Sequence, residues 1–225
     1  MRVAPPVMLF AAGRGRRMAP LTDDRPKPMV EVAGRPLVDY ALDLLREADP
    51  RKIVANTHYL PRTLEAHLKS AGIETIHEPT LLETGGGLRN ALPMLGNGPV
   101  MTLNTDAVWH GTNPVMPLID TWQPDKMDAL LTLVSTKSAI GHVGVGDFTL
   151  ADDGQIIRGP DLVFTGLQIM KPGRLHEISE DVFSLNKVWD LMAADKRLFG
   201  VVYDGVWCDV GRPESIPLAE AVLNV

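Results

Sequence analysis

Short apolar runs alternate with amphipathic helical patterns through the first half of this chain, and that alternation leaves few folds open. Residues 7–12, 52–56, 73–77 and 99–104 read as buried strands, and 36–48, 61–71, 89–95 and 115–122 as helices. Leu37, Tyr40, Ala41, Leu44 and Leu45 share one face of the first helix, behind a proline at its start. Leu64 and Leu68 face inward on the second, which Gly72 ends. A βαβα order requires parallel strands covered by helices on both faces. The second half changes character. Residues 129–134, 143–150, 155–158 and 162–170 read as strands, with Asp153-Gly154 as a hairpin turn. Residues 185–196 and 213–223 read as helices and 198–203 as a strand. The expected fold is α/β, a three-layer Rossmann-like sandwich with a mixed, mostly parallel central sheet. At 225 residues the chain fits a single domain, 1–225.

The first strand runs into a glycine-rich, cationic loop. Gly13 and Gly15 let the backbone turn sharply and approach a ligand closely. Arg14, Arg16, Arg17 and Lys27 surround it with positive charge. Bare backbone N–H groups and cationic side chains pointing at one place make a polyphosphate site. The loop is neither a P-loop nor a Gly-x-Gly-x-x-Gly turn, because Met18 stands where the third glycine would be. In Pro26-Lys27-Pro28 each proline fixes its own φ and pushes the residue before it toward extended geometry, which puts Lys27 on a stiff stem.

Composition narrows the partners. Hydrophobic residues make up 45% of the chain, enough for a sizeable core, and the formal net charge is −6, which gives no general affinity for nucleic acid. A cationic loop in an acidic chain marks a dedicated anion site. Cys208 is the one cysteine, which fits a reducing compartment. No run approaches the roughly 18 apolar residues of a membrane span. The expectation is a cytoplasmic protein with no membrane partner, monomeric or a homodimer.

Two aspartates follow apolar strand-like runs: Asp106 after 99–104, and Asp209 within Gly205-Val-Trp-Cys-Asp-Val-Gly211. Either can be a cap or a loop residue. Brought together, they suit Mg²⁺, which takes one or two carboxylates plus phosphates and waters. Gly85, Gly86 and Gly87 cost chain entropy, so close backbone approach to something is expected there, or else a loose helix start. Asp147 lies in a glycine-flanked strand, where it can accept hydrogen bonds from sugar hydroxyls or face solvent. The six histidines show no His-x-x-x-His or Cys-x-x-Cys pairing for zinc, and no Gly-x-Ser-x-Gly elbow occurs.

The segment Leu9-Phe-Ala-Ala-Gly-Arg-Gly-Arg-Arg-Met-Ala-Pro-Leu-Thr22, followed by Pro26-Lys-Pro-Met29, resembles the signature of the sugar-1-phosphate nucleotidylyltransferases, with order and spacing intact. Arg16 stands where that family more often has Thr, Ser or Glu. The resemblance implies the nucleotidyltransferase type of α/β sandwich. It also implies a nucleotide site at Ala12, Gly13, Gly15, Arg16, Arg17, Lys27, Glu78, Gly85 and Gly86. Arg17, Lys27 and Asp106 take the catalytic roles, and Asp106 and Asp209 hold the metal, Mg²⁺. Asn104, Asp147 and Thr165 fall on the sugar. The implied reaction joins a nucleoside triphosphate to a sugar 1-phosphate and releases pyrophosphate.

Glu83-Thr-Gly-Gly-Gly87 and Gly146-Asp-Phe148 resemble the N-acetylmuramate-1-phosphate uridylyltransferase branch, which implies UTP, N-acetylmuramate 1-phosphate and a place in cell-wall sugar recycling. A guanylyltransferase for mannose or heptose 1-phosphate stays open, as does a non-catalytic nucleotide-binding subunit. Relatives carry a Glu-Lys-Pro segment whose lysine binds the sugar phosphate. Lys171-Pro172 comes too late to supply it, so the group that neutralises this phosphate is undefined.

Overall fold

The computed structural model describes residues 4–224. In chain order the elements are β1 (Val7–Phe10), β2 (Glu31–Val32), β3 (Arg35–Pro36), α1 (Leu37–Arg46), β4 (Ile53–Thr57), α2 (Pro61–Ser70), β5 (Glu74–His77), α3 (Glu83–Leu95), β6 (Val100–Asn104) and β7 (Ala107–His110). There follow α4 (Val115–Thr121), β8 (Ala129–Ser135), β9 (Ala139–Ile140), β10 (Phe148–Leu150), β11 (Ile156–Arg158) and β12 (Leu162–Met170). The last are α5 (Leu185–Ala194), β13 (Leu198–Val202), β14 (Val206–Asp209) and α6 (Ser215–Leu223).

The central sheet runs β5-β4-β1-β6-β12-β8-β13. All of these strands are parallel except β12, which is antiparallel to β6 on one side and β8 on the other. Period-two alternation divides the core in two. Val7, Leu9, Ala55, Met101 and Leu103 pack with Leu45, Leu64, Leu68 and Leu118 of α1, α2 and α4. Met8, Val54 and Val100 pack on the other face with Leu88, Leu92, Trp189 and Met192 of α3 and α5. This is the three-layer α/β sandwich the alternation requires. No helix among the described residues is long and apolar enough to cross a membrane.

Three features depart from the sequence reading. First, α3 begins at Glu83, not at residue 89, and takes in all three glycines. Glycine costs a helix about 1 kcal/mol relative to alanine, and tertiary packing overrides that cost here. Second, residues 143–147 are a loop, and the strand starts at Phe148; Gly144 has φ +124, which does not continue a pleat. Third, a small second sheet, β7-β14-β9, stands beside the main one. It rests on Met18, Val32, Val108, Cys208, Val210 and Ala219. A further hairpin, β2–β3, turns through Ala33 and Gly34, both at positive φ.

The strand β12 changes partner halfway. Leu162 pairs with Phe148 of β10, whereas Leu167 to Met170 pair with β6. A bulge between Phe164 and Gln168 makes the change. Gly166 has φ +86 there, and a Cβ on it would sit 2.7 Å from the Asn104 side chain. The bulge brings the β10–β11 hairpin beside the carboxyl end of β6, so the ends of β1, β4, β6 and this hairpin enclose one cleft.

Candidate active site

A buried polar chain ties the strand ends together. The N–H of Ala11 donates to Asn56 Oδ1 (2.7 Å), and Asn56 Nδ2 donates to Glu78 Oε1 (2.7 Å). The N–H of Leu82 donates to Glu78 Oε2 (3.1 Å). Glu78 is 0% exposed and both its carboxylate oxygens are engaged within the protein. It is therefore no direct nucleotide contact, contrary to the sequence expectation: it positions the loops after β1 and β5. Asn56, at the cleft wall, carries no motif and was missed for that reason.

Above this chain lies a cavity of about 360 Å³, walled by Ala11, Ala12, Gly13, Lys27, Asn104 and Asp106 among others. Gly15 passes so close to Lys27 that a Cβ on it would sit 2.9 Å from the lysine Cβ, and its φ is +62. The hydroxyl of Thr22 donates to the carbonyl of Gly15 (3.0 Å). Pro26 is extended, as its stem role requires, while Lys27 itself opens a one-turn 3-10 helix, Lys27–Met29. The lysine side chain is 11% exposed, and its Nζ lies 2.7 Å from Asp106 Oδ2, on a carboxylate that is 33% exposed.

The second sheet brings the two aspartates together. Asp209 of β14 pairs with Ala107 of β7, and the N–H of Val210 donates to the carbonyl of Asp106 (2.9 Å). Burial raises the Asp209 carboxyl above its ordinary pKa, and the Asp106 charge adds to it; Lys27, Arg17 and His142 pull the other way. Arg17 reaches the same place. A Cβ on Gly211 would lie 2.9 Å from Asp209 Oδ2 and 3.4 Å from Arg17 Nη2. Among the described residues no group of three or more His, Cys, Asp or Glu is disposed to hold a metal. Two neighbouring carboxylates are nonetheless a donor set that Mg²⁺ takes beside phosphates and waters, and the like-charge repulsion on Asp209 is what a cation relieves.

Other expected residues fall elsewhere. Arg16 lines a separate groove with Arg14, His58 and Thr80. Gly85 and Gly86 are buried, and their N–H groups donate to the carbonyl of Phe183 (2.8 and 3.1 Å). A Cβ on Gly85 would run into the Phe183 ring, and one on Gly86 into the Asp181 carbonyl. The close approach these glycines permit is thus to the chain itself, and the expectation that they border a nucleobase is corrected. Gly86→Ala is expected to destabilise the fold by about 1–3 kcal/mol, read as a lowered Tm, because backbone must move to admit the methyl group. Thr165 is buried and its hydroxyl donates to the carbonyl of Thr132 (2.8 Å), so it faces the sheet rather than a sugar.

A second cavity of about 240 Å³ adjoins the first and shares Phe10, Thr84, Asn104 and Ser184 with it. Its wall holds Asp147, whose Oδ2 accepts from the N–H of Phe164 (2.9 Å), together with Arg158, Gln168 and Trp189. Asn104 and Asp147, two of the residues expected on the sugar, both line this cavity. The cleft therefore has two lobes, with the Lys27–Asp106 pair in the first.

A mostly parallel sheet with one reversed strand and a cationic glycine loop at the end of its first strand defines the α/β nucleotidyltransferase fold. The chain belongs to the MobA-like NTP transferase family, whose model matches residues 7–146. It is similar to the N-acetylmuramate alpha-1-phosphate uridylyltransferase of Caulobacter vibrioides, with 40% identity over 99% of both chains. It is similar also to the protein of that description from Neisseria meningitidis, with 33% identity over 96% of each. Among solved structures, a putative glucose-1-phosphate thymidylyltransferase from Bacillus anthracis superposes with a TM-score of 0.81 at 18% identity, covering 97% of this chain and 95% of that one.

Proposed function

We propose that this protein, as one domain spanning 1–225, joins UTP to N-acetylmuramate 1-phosphate, giving the uridine-diphosphate sugar and pyrophosphate, a step in peptidoglycan recycling. The observation that carries the reading is the Lys27–Asp106 pair in the wall of the first lobe, with Asp209 and Arg17 gathered beside it. The similarity to two uridylyltransferases over nearly the whole chain supports the choice of substrates.

An oxygen of the sugar phosphate attacks the α-phosphorus in line, the bond to the β-phosphate breaks, and pyrophosphate leaves with that electron pair. The attacking oxygen is already anionic, so no general base is required. Such a reaction needs positioning and charge neutralisation more than covalent help. Ala12 and Gly13 line the nucleotide lobe with backbone, and Gly15 lets the loop close on Lys27. Lys27 neutralises charge gathering on the α-phosphoryl group, and Arg17 holds the departing pyrophosphate. Asp106 and Asp209 would hold Mg²⁺, which would supply Lewis-acid neutralisation of the phosphates. Asn104, shared by both lobes, lies where nucleotide and sugar meet.

The sugar takes the second lobe, where Asp147 accepts from its hydroxyls. Asp147→Ala is expected to raise the KM for the sugar phosphate about ten-fold while leaving UTP binding without sugar nearly unchanged. Calorimetric UTP titration beside steady-state kinetics reads both quantities, and unchanged sugar kinetics contradict the role.

A pyrophosphate-release screen of five nucleoside triphosphates against a panel of sugar 1-phosphates tests the whole reading. UTP with N-acetylmuramate 1-phosphate is expected to give the highest kcat/KM. A preference for GTP with a mannose or heptose phosphate would replace these substrates, and binding of nucleotide with no turnover would leave a regulatory subunit.

A further inference from the structure

The second lobe is walled by aromatic rings and holds one cation among its described lining residues, Arg158. The guanidinium lies 4.9 Å from the ring centroid of Phe148 and 5.7 Å from that of Trp189. Trp189 is itself wedged edge-on against Phe148 and Phe164. These ring contacts hold the guanidinium at the lobe's wall. Its Nε and Nη2 donate to Asp190 Oδ1 (3.0 and 2.9 Å), and Nη2 also approaches the carbonyl of Asn186 (3.3 Å). Asp190 is 61% exposed and takes the Nε–Nη2 side of the fork, not Nη1. The group is thus a preoriented fork that already engages one carboxylate.

The roles given to Lys27 and Arg17 leave Arg158 without one. The reacting phosphate must reach Lys27 and Asp106, which line the first lobe and not the second, whereas Arg158 lines the second and not the first. An anion seated beside Arg158 is therefore a second anionic group on the same substrate. N-acetylmuramate carries one: the carboxylate of its lactyl ether. A carboxylate that enters this aromatic-walled lobe gives up part of its hydration, and a charged donor offsets that loss.

We propose that Arg158 binds the carboxylate of the sugar substrate and so distinguishes a hexosamine phosphate that bears a carboxylate from its counterpart without one. This rests on the substrate reading above. In it Arg158 is a specificity determinant that touches the substrate away from the reacting atoms. Asp190 positions the fork.

The test uses N-acetylmuramate 1-phosphate and N-acetylglucosamine 1-phosphate, which differ by the lactyl group. Both are assayed with saturating UTP on the wild-type protein, Arg158→Gln and Arg158→Lys. The wild type is expected to favour the acidic sugar. Arg158→Gln is expected to cut the ratio of the two kcat/KM values about ten-fold or more, mainly through the KM of the acidic sugar. Arg158→Lys, which keeps the charge and loses the fork, is expected to fall between. UTP binding and Tm, measured on each variant, separate a specific loss from a folding defect. Equal losses on both sugars, or an unchanged ratio in Arg158→Gln, would overturn the proposal while the substrate reading stands. A wild-type protein that does not favour the acidic sugar would overturn the substrate reading, and this proposal with it.

Discussion

Asp106→Asn and Asp209→Asn are each expected to lower turnover on the order of 10²-fold or more while the fold stays in place. Asparagine keeps the shape of the side chain and removes one carboxylate charge from the proposed cation site. The two substitutions differ in stability. Burial and the neighbouring Asp106 charge both disfavour the ionised form of Asp209. Removing that charge in the absence of metal is expected to leave Tm unchanged or raise it. Asp106 is the ion-pair partner of a nearly buried lysine, so its removal leaves Lys27 unpaired and Tm is expected to fall. Pyrophosphate release across a Mg²⁺ titration, beside thermal melts, reads both effects. Near-normal Mg²⁺-dependent rates in either variant contradict the shared-metal proposal.

Lys27→Ala is expected to lower kcat by about 10²-fold or more, with a smaller rise in the KM for the nucleotide. Lys27 is held at the cleft by Pro26 and by Asp106, with its Nζ 2.7 Å from the carboxylate. A cation fixed in this way pays little reorganisation as charge develops on the α-phosphoryl group. Its contribution is therefore larger in the transition state than in the bound triphosphate, and that difference appears in kcat. Lys27→Arg keeps the charge but must place a larger, planar fork where the ammonium now meets Asp106, so rescue is expected to be partial. An effect confined to KM would make Lys27 a ground-state phosphate ligand only.

The sandwich was legible in the sequence because its strands are short apolar runs between amphipathic helices, and each pattern is local. Val7 to Phe10 and Val100 to Asn104 could hardly be anything but buried parallel strands. The second sheet was not legible, because β7, β9 and β14 are two to four residues long and pair across large separations in the chain. The meeting of Asp106 and Asp209 depends on that sheet, so the resemblance could imply it and the spacing could not. The glycines at 85 and 86 announced close approach but not its object, which is the Asp181–Phe183 backbone. Glu78 and Thr165 were polar residues of the right type whose hydrogen-bonding groups turn inward. Arg158 sits on a three-residue strand after a hairpin turn, and nothing in the chain around it distinguishes it from a surface arginine.

The central claim, transfer of a uridylyl group to a sugar phosphate in this cleft, is tested most directly by ³¹P NMR of the protein with Mg²⁺, UTP and N-acetylmuramate 1-phosphate. The expected result is joint loss of the triphosphate and sugar-phosphate signals, with equal growth of pyrophosphate and of a diphosphate ester, only when both substrates are present. Consumption of UTP with no diphosphate ester, or no consumption of either substrate, would contradict it.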